Sequence, residues 1–355
     1  MKRKLPILYA VICLIVMLAG WGLVFWRAWE AGNAALIAAL LGLTLSLFLA
    51  PFLHELGHIL FAKRANMQVV YSKFFCFELS RSRGKTRFRI VSPFGAEQTQ
   101  AVPKSSGNMQ NRTKKYVLGG LIFSGVFLIC LVVAAVLLSI FVRPFFVAFG
   151  FLPYTAYLFV LNVLPLEYGS GKTDALVYRG LKKGYDAEKT MLAAMEIQGN
   201  LYEGKRFTEI DEKLFFELPQ LPEDEPLFAV MLDLRYRYFL DKGEEQQAAD
   251  CLNRLANSQE YLSVPEREKL AAELVYMHAL RGDLERAEAC GKYCKEYLQS
   301  ETASAKRILA AFSAAFGKAE AVTDLIEQAL TLLRFEEIKG VEKWEQTLLS
   351  RIPQA

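Results

Sequence analysis

Residues 34–62 read AALIAALLGLTLSLFLAPFLHELGHILFA, an apolar run that closes on two histidines with a glutamate between them. From Ala31 to Leu53, 23 residues pass without an Asp, Glu, Lys or Arg. About 20 apolar residues of helix are enough to cross a bilayer. The run ends in the pattern H-E-x-x-H, at His54, Glu55 and His58. On a helix, positions i and i+4 share a face, so both imidazoles can reach one metal ion. Glu55, one position round, is left to act on a water at that ion. The bland alternative is an accidental pairing on an ordinary surface helix. Histidine is scarce here, three in 355 residues. Ionisable groups inside a membrane span are costly and usually functional. The metal-site reading prevails.

Three further runs lack charge for long enough to cross a bilayer: Leu5–Trp26, Tyr116–Val142 and Pro144–Leu166. The spans are therefore expected at about 5–26, 31–60, 116–142 and 144–166, and no comparable run follows Glu167. The chain divides accordingly into a membrane domain, residues 1–180, and a soluble domain, residues 181–355. Charge follows the same division. Up to Leu166 there are 17 Lys and Arg against four Asp and Glu; from Glu167 onward there are 25 against 34. The basic excess is thus a property of the membrane half, and nothing in the composition points to nucleic acid.

Twelve of those basic residues lie in the loop from Lys63 to Lys115, and Lys2, Arg3 and Lys4 precede the first span. The other two connections hold only Arg27 with Glu30, and Arg143. Loops rich in Lys and Arg stay in the cytoplasm. The N-terminus, the central loop and the C-terminal domain are expected there, in a multi-pass protein of the cell membrane. A cleaved signal peptide is the competing reading of the first run, but it is long for an h-region and no A-x-A-like site follows it. The six cysteines, Cys13, Cys76, Cys130, Cys251, Cys290 and Cys294, suggest no disulfide framework in that compartment.

Catalytic zinc takes three protein ligands and keeps a fourth position for water. His278 lies far away in the soluble half, so the third ligand is expected to be a carboxylate where another span returns to the same face. LNVLPLEYGSGKTDALVYRG follows the fourth run and offers Glu167 and Asp174. Its stretch EYGSGKT is glycine-rich. Pro51, three residues before His54, is a candidate kink that would tilt the histidine face toward a water-filled cavity.

A membrane-embedded H-E-x-x-H followed two spans later by N-x-x-P and an aspartate resembles the site-2 protease family of intramembrane zinc metalloproteases. The matching residues are His54, Glu55, His58, Asn162, Pro165 and Asp174, and the resemblance covers roughly residues 31–179. It implies that Asp174 completes a Zn2+ site and that Asn162 holds substrate or the developing oxyanion. Without the resemblance, Asn162 reads as a polar residue capping a helix end before Pro165. The family pattern has its aspartate close behind the proline and followed by glycine. Here Asp174 comes nine residues after Pro165, with Ala175 next. GGLIFSG, Gly119–Gly125, resembles the small-residue segment that lets a neighbouring helix pack beside the metal-bearing one.

In the central loop, VVYSKFFCFELS and TRFRIVS are rich in aromatic and β-branched residues, with a turn at Gly84. They read as a β-hairpin that either holds an extended substrate by strand addition or lies on anionic headgroups. Beyond Tyr185 apolar positions recur at helical spacing, and LYEGKRFTEI, LDKGEEQQAA, LRGDLERAEA and AFGKAEAVTD repeat a helix–turn signature. Their glycines, 204, 243, 282 and 317, are spaced 39, 39 and 35 residues apart, which resembles tetratricopeptide (TPR) repeats.

The expected fold is mainly α: a four-span helical protease core with a small β-hairpin loop, then a cytoplasmic TPR-like α-solenoid. The expected function is hydrolysis of peptide bonds in membrane-anchored protein substrates near the cytoplasmic face. Glu55 and Asn162 are the catalytic candidates, and His54, His58 and Asp174 the zinc ligands. The lipid bilayer and a peptide or protein held by the repeats are the other partners. A non-proteolytic membrane scaffold and an enzyme that matures a short secreted or cytoplasmic peptide are the competing expectations.

Overall fold

The computed structural model describes residues 4–82, 85–92, 98–141, 145–168, 171–257, 259 and 262–353. Helices dominate, and the chain forms two compact units. One comprises residues 1–102 and 108–185, the other residues 103–107 and 186–355. The division falls just beyond residue 180. It also assigns five residues of the central loop to the second unit, which nothing in their composition foreshadows.

In the first unit, α1 (Lys4–Ala31) and α2 (Asn33–Arg64) are separated by Gly32. Its φ of 104° is a conformation that a side chain would oppose. With α3 (Met109–Phe141) and α4 (Phe146–Val163), these are four helices long and apolar enough to cross a membrane. They pack through small residues. A Cβ added to Gly57 or Gly119 would strike the other's backbone carbonyl, and one at Gly150 would strike that of Ala39. In lipid, where apolar surface gains nothing by leaving its solvent, such close backbone approach holds helices together. The Trp21 indole N–H adds a bond to the Gly150 carbonyl at 2.9 Å.

Between α2 and α3 the chain makes β1 (Met67–Phe74), β2 (Phe77–Ser82), β3 (Lys85–Ile90) and β4 (Gln98–Pro103), in the sheet order β3-β2-β1-β4. The expected hairpin is therefore part of a larger sheet. VVYSKFFCFELS is two antiparallel strands, with Phe74 opposite Phe77, because Phe75 turns the chain with φ 49°. The expected turn at Gly84 lies outside the described residues. The polar segment QTQAVP, outside the expected hairpin, is β4. After α4, β5 (Glu167–Tyr168) and β6 (Gly171–Lys172) make a small ladder, and α5 (Asp174–Lys183) closes the unit.

The second unit contains α6 (Asp186–Tyr202), α7 (Lys213–Phe216), α8 (Pro226–Lys242), α9 (Glu245–Asn257), α10 (Val264–Leu280), α11 (Leu284–Gly291), α12 (Lys295–Leu298), α13 (Ala303–Ala315), α14 (Ala319–Leu333) and α15 (Lys339–Ser350). Three helix pairs, α8 with α9, α10 with α11 and α13 with α14, turn at Gly243, Gly282 and Gly317. Their φ values are 84°, 72° and 69°, left-handed helix ends where glycine is favoured. The first copy departs from this pattern: Gly204 is also left-handed, but a 3₁₀ turn and the four-residue α7 follow it.

A charge cluster with no local sequence signal ties four of these helices together. Arg307 on α13, 0% exposed, donates to Glu345 on α15 at 2.7 Å and to Glu273 on α10 at 2.9 Å. Glu273 also accepts from the Tyr236 hydroxyl of α8 at 2.8 Å. Burial pushes the Glu273 carboxyl up, but the charges of Arg307 and Arg237 outweigh it and hold the group below the ordinary carboxylate range. Its stabilising contribution is therefore complete above the unfolded pKa of about 4.3 and is lost as pH falls through the lower folded value. Arg307→Met strands two buried carboxylates and should cost about 3–5 kcal/mol. Hydrogen exchange on the full chain should show α10, α13 and α15 losing protection together in this variant, and in the wild type on acidification.

Candidate metal centre

Helix α2 continues past its apolar run through HELGH, which places the two imidazoles one turn apart, edge to face, with ring centroids 4.9 Å from each other. Asp174 arrives from the far side of the sequence. Thr173 fastens the chain after α4: its hydroxyl donates to the Leu164 carbonyl at 2.7 Å, and its N–H donates to Leu166 at 3.0 Å. The same hydroxyl accepts from Leu176 N–H and caps α5, so Asp174 is the first helical residue. Between α4 and Thr173, Glu167 pairs with Lys172 across β5 and β6.

His54 Nε2, His58 Nε2 and Asp174 Oδ2 form a triangle with edges of 3.3, 3.2 and 3.2 Å. Ligands about 2.0–2.1 Å from a tetrahedral zinc ion stand roughly 3.3 Å apart. Hydrogen bonding on the outer side of the rings shows why a cation fits. His58 Nδ1 lies 3.0 Å from the Tyr116 carbonyl, which only accepts, so Nδ1 carries the proton and Nε2 turns its lone pair inward. His54 Nδ1 lies 2.9 Å from the Ser124 hydroxyl. Asp174 Oδ2 is buried and has no hydrogen-bond partner of its own. Three electron-rich atoms thus converge, and the group can hold a metal ion.

Two glycines make room for this arrangement. Gly119 lets α3 come close enough to α2 for its Tyr116 carbonyl and Ser124 hydroxyl to orient the rings. Gly120 faces the triangle itself, and a Cβ there would press on His58 Nε2 and on His54 Cε1 and Nε2.

Glu55 is only 3% exposed, and its Oε2 accepts from the Thr99 hydroxyl of β4 at 2.5 Å. Thr99 Oγ1 lies 2.9 Å from Ser72 Oγ of β1, and the Thr99 carbonyl accepts from the Tyr116 hydroxyl. Thr99 and Ser72 have no signature in the sequence, because an isolated hydroxyl carries no pattern. Ser124 and Gly120 at least belong to the GGLIFSG segment.

The remaining candidates lie elsewhere. Asn162, in the last turn of α4, donates back to its own Leu158 carbonyl at 3.2 Å and is not part of the His54, His58 and Asp174 group. Glu167 is exposed on β5 and also lies outside that group. His278, on α10, sits 3.6 Å from Asp283 in the second unit.

No protein-family model, curated protein or solved structure matches the chain.

Two outcomes follow from the geometry. Asp174→Ala should lose the bound metal and Glu167→Ala should keep it, as read by elemental analysis of the purified full chain. Gly120→Ala should also lose most of its metal with helix content unchanged by circular dichroism. The rings, held at Nδ1 by Ser124 and Tyr116, have little freedom to swing away from the added methyl.

Proposed function

We propose that the chain is an intramembrane zinc endopeptidase, similar to site-2 proteases, acting on membrane-anchored proteins near the cytoplasmic face. One observation carries the reading: two imidazoles, on a helix long and apolar enough to cross a membrane, meet the Asp174 carboxylate at tetrahedral spacing beside Glu55. Two nitrogens and one oxygen suit zinc, whereas magnesium and calcium prefer all-oxygen surroundings. Three protein ligands leave a position for chemistry, as catalytic zinc sites do.

Zinc, when bound, polarises the scissile carbonyl and lowers the pKa of the attacking water. Glu55 takes the proton from that water and later delivers it to the leaving amine. A helical substrate hides its carbonyls in its own hydrogen bonds, so the segment to be cut must first unwind. The Asn162 amide spends one of its two N–H protons on the Leu158 carbonyl and keeps the other for the developing oxyanion.

The Lys- and Arg-rich central loop supports a cytoplasmic placement of that loop, of the N-terminus and of the second unit. We read the second unit as a TPR-like α-solenoid that takes a peptide or partner protein, on the support of its glycine turns and helix pairs.

Comparing the membrane proteomes of cells carrying the wild type and Glu55→Gln tests the reading. At least one membrane-anchored protein should accumulate uncut in the variant. If none does while partner binding persists, the chain is a scaffold.

A further inference from the structure

We infer that Thr99, backed by Ser72, is a positioning residue that aims the Glu55 carboxylate; this rests on the endopeptidase reading above. Proton counting fixes the direction of the chain of bonds. A carboxylate only accepts, and a threonine hydroxyl has one proton to give. At 2.5 Å from Glu55 Oε2, Thr99 spends that proton on the carboxylate. Ser72 Oγ, 2.9 Å from Thr99 Oγ1, must then be the donor to Thr99. The relay runs from Ser72 to Thr99 to Glu55, across β1, β4 and α2.

Burial makes the relay dry. Ser72 is 0% exposed, Thr99 8% and Glu55 3%, so bulk water is poorly placed to substitute for any member. A hydrogen bond to an ionised acceptor is stronger than one between neutral groups, and in a dry site it is directional as well. It occupies Oε2 and fixes the plane of the carboxylate, which leaves Oε1 for the reacting water. A second tie locks this support to the metal ligands: the Tyr116 hydroxyl holds the Thr99 carbonyl, and the Tyr116 carbonyl holds His58 Nδ1. The proton acceptor and one metal ligand are thus set from a single residue. Small displacements from a productive geometry cost much of the rate, which is why positioning of this kind matters.

The test uses the full chain, zinc-loaded in detergent micelles, with dye-labelled casein as substrate. Thr99→Val keeps the shape and removes the hydroxyl; Thr99→Ser keeps the hydroxyl. We expect Thr99→Val to lower kcat about 10- to 100-fold with KM and zinc content unchanged. Thr99→Ser should restore most of it. Ser72→Ala should give a smaller loss that disappears in the Thr99→Val background, because Ser72 acts through Thr99. An infrared difference spectrum between wild type and Thr99→Val should contain carboxylate bands that vanish when both chains carry Glu55→Gln.

The outcomes separate the two claims. Missing carboxylate bands, or a Thr99→Val enzyme with wild-type kcat, overturn the positioning role while leaving the protease intact. Loss of zinc or a raised KM in Thr99→Val makes Thr99 merely structural and overturns it too. A wild type that cuts neither casein nor any membrane protein defeats the endopeptidase reading and the positioning role with it, whatever the infrared bands show.

Discussion

Much of the first unit depends on how closely α2 and α3 approach. With no side chain at Gly57 or Gly119, the two backbones come into direct contact, and a single methyl at either would force them apart. Lipid gives apolar helices little reason to associate, so this kind of close packing is what holds them. It also brings α3 within hydrogen-bonding reach of the histidines, with Tyr116 3.0 Å from His58 Nδ1 and Ser124 2.9 Å from His54 Nδ1. Those bonds orient the rings so that the Nε2 atoms face Asp174. Helix packing and ligand orientation are therefore one event.

The two buried polar clusters of the chain differ in an instructive way. Around Arg307, the cation is part of the protein, and the guanidinium lies between two carboxylates. Desolvation of those charges is offset by their mutual attraction and by the Tyr236 and Ser304 hydroxyls. Around Asp174, two inward-facing ring nitrogens and a carboxylate oxygen meet with no protein cation among the group. The first cluster carries its own countercharge and serves to tie helices together. The second offers three convergent donor atoms and could hold a metal ion.

What was legible in the sequence is what local geometry encodes. The four apolar runs gave the four long helices, and H-E-x-x-H placed two imidazoles on one face because a helix repeats every 3.6 residues. The glycines at 243, 282 and 317 marked real turns, since left-handed backbone is where glycine is favoured. The sheet was only half visible: the polar QTQAVP lacks the composition of a strand, and the turn at Phe75 is made by a residue that rarely takes positive φ. The Arg307 cluster was invisible, because Arg307 lies 34 and 38 residues from the two carboxylates it binds and the three share no period.

By itself, then, the sequence determined the helix-rich architecture and the chemistry of HELGH, because run length and an i, i+4 spacing are properties of one covalent segment. Only the tertiary structure decided which carboxylate joins the histidines. Asp174 and Glu167 stand seven residues apart, and the choice depends on Thr173 gripping Leu164 and Leu166 while Glu167 pairs with Lys172. The same holds for Thr99, which meets Glu55 across 44 residues of sequence through strand pairing and helix packing. Such meetings depend on how separate elements pack, and packing is a sum over many weak contacts that no short stretch of sequence contains.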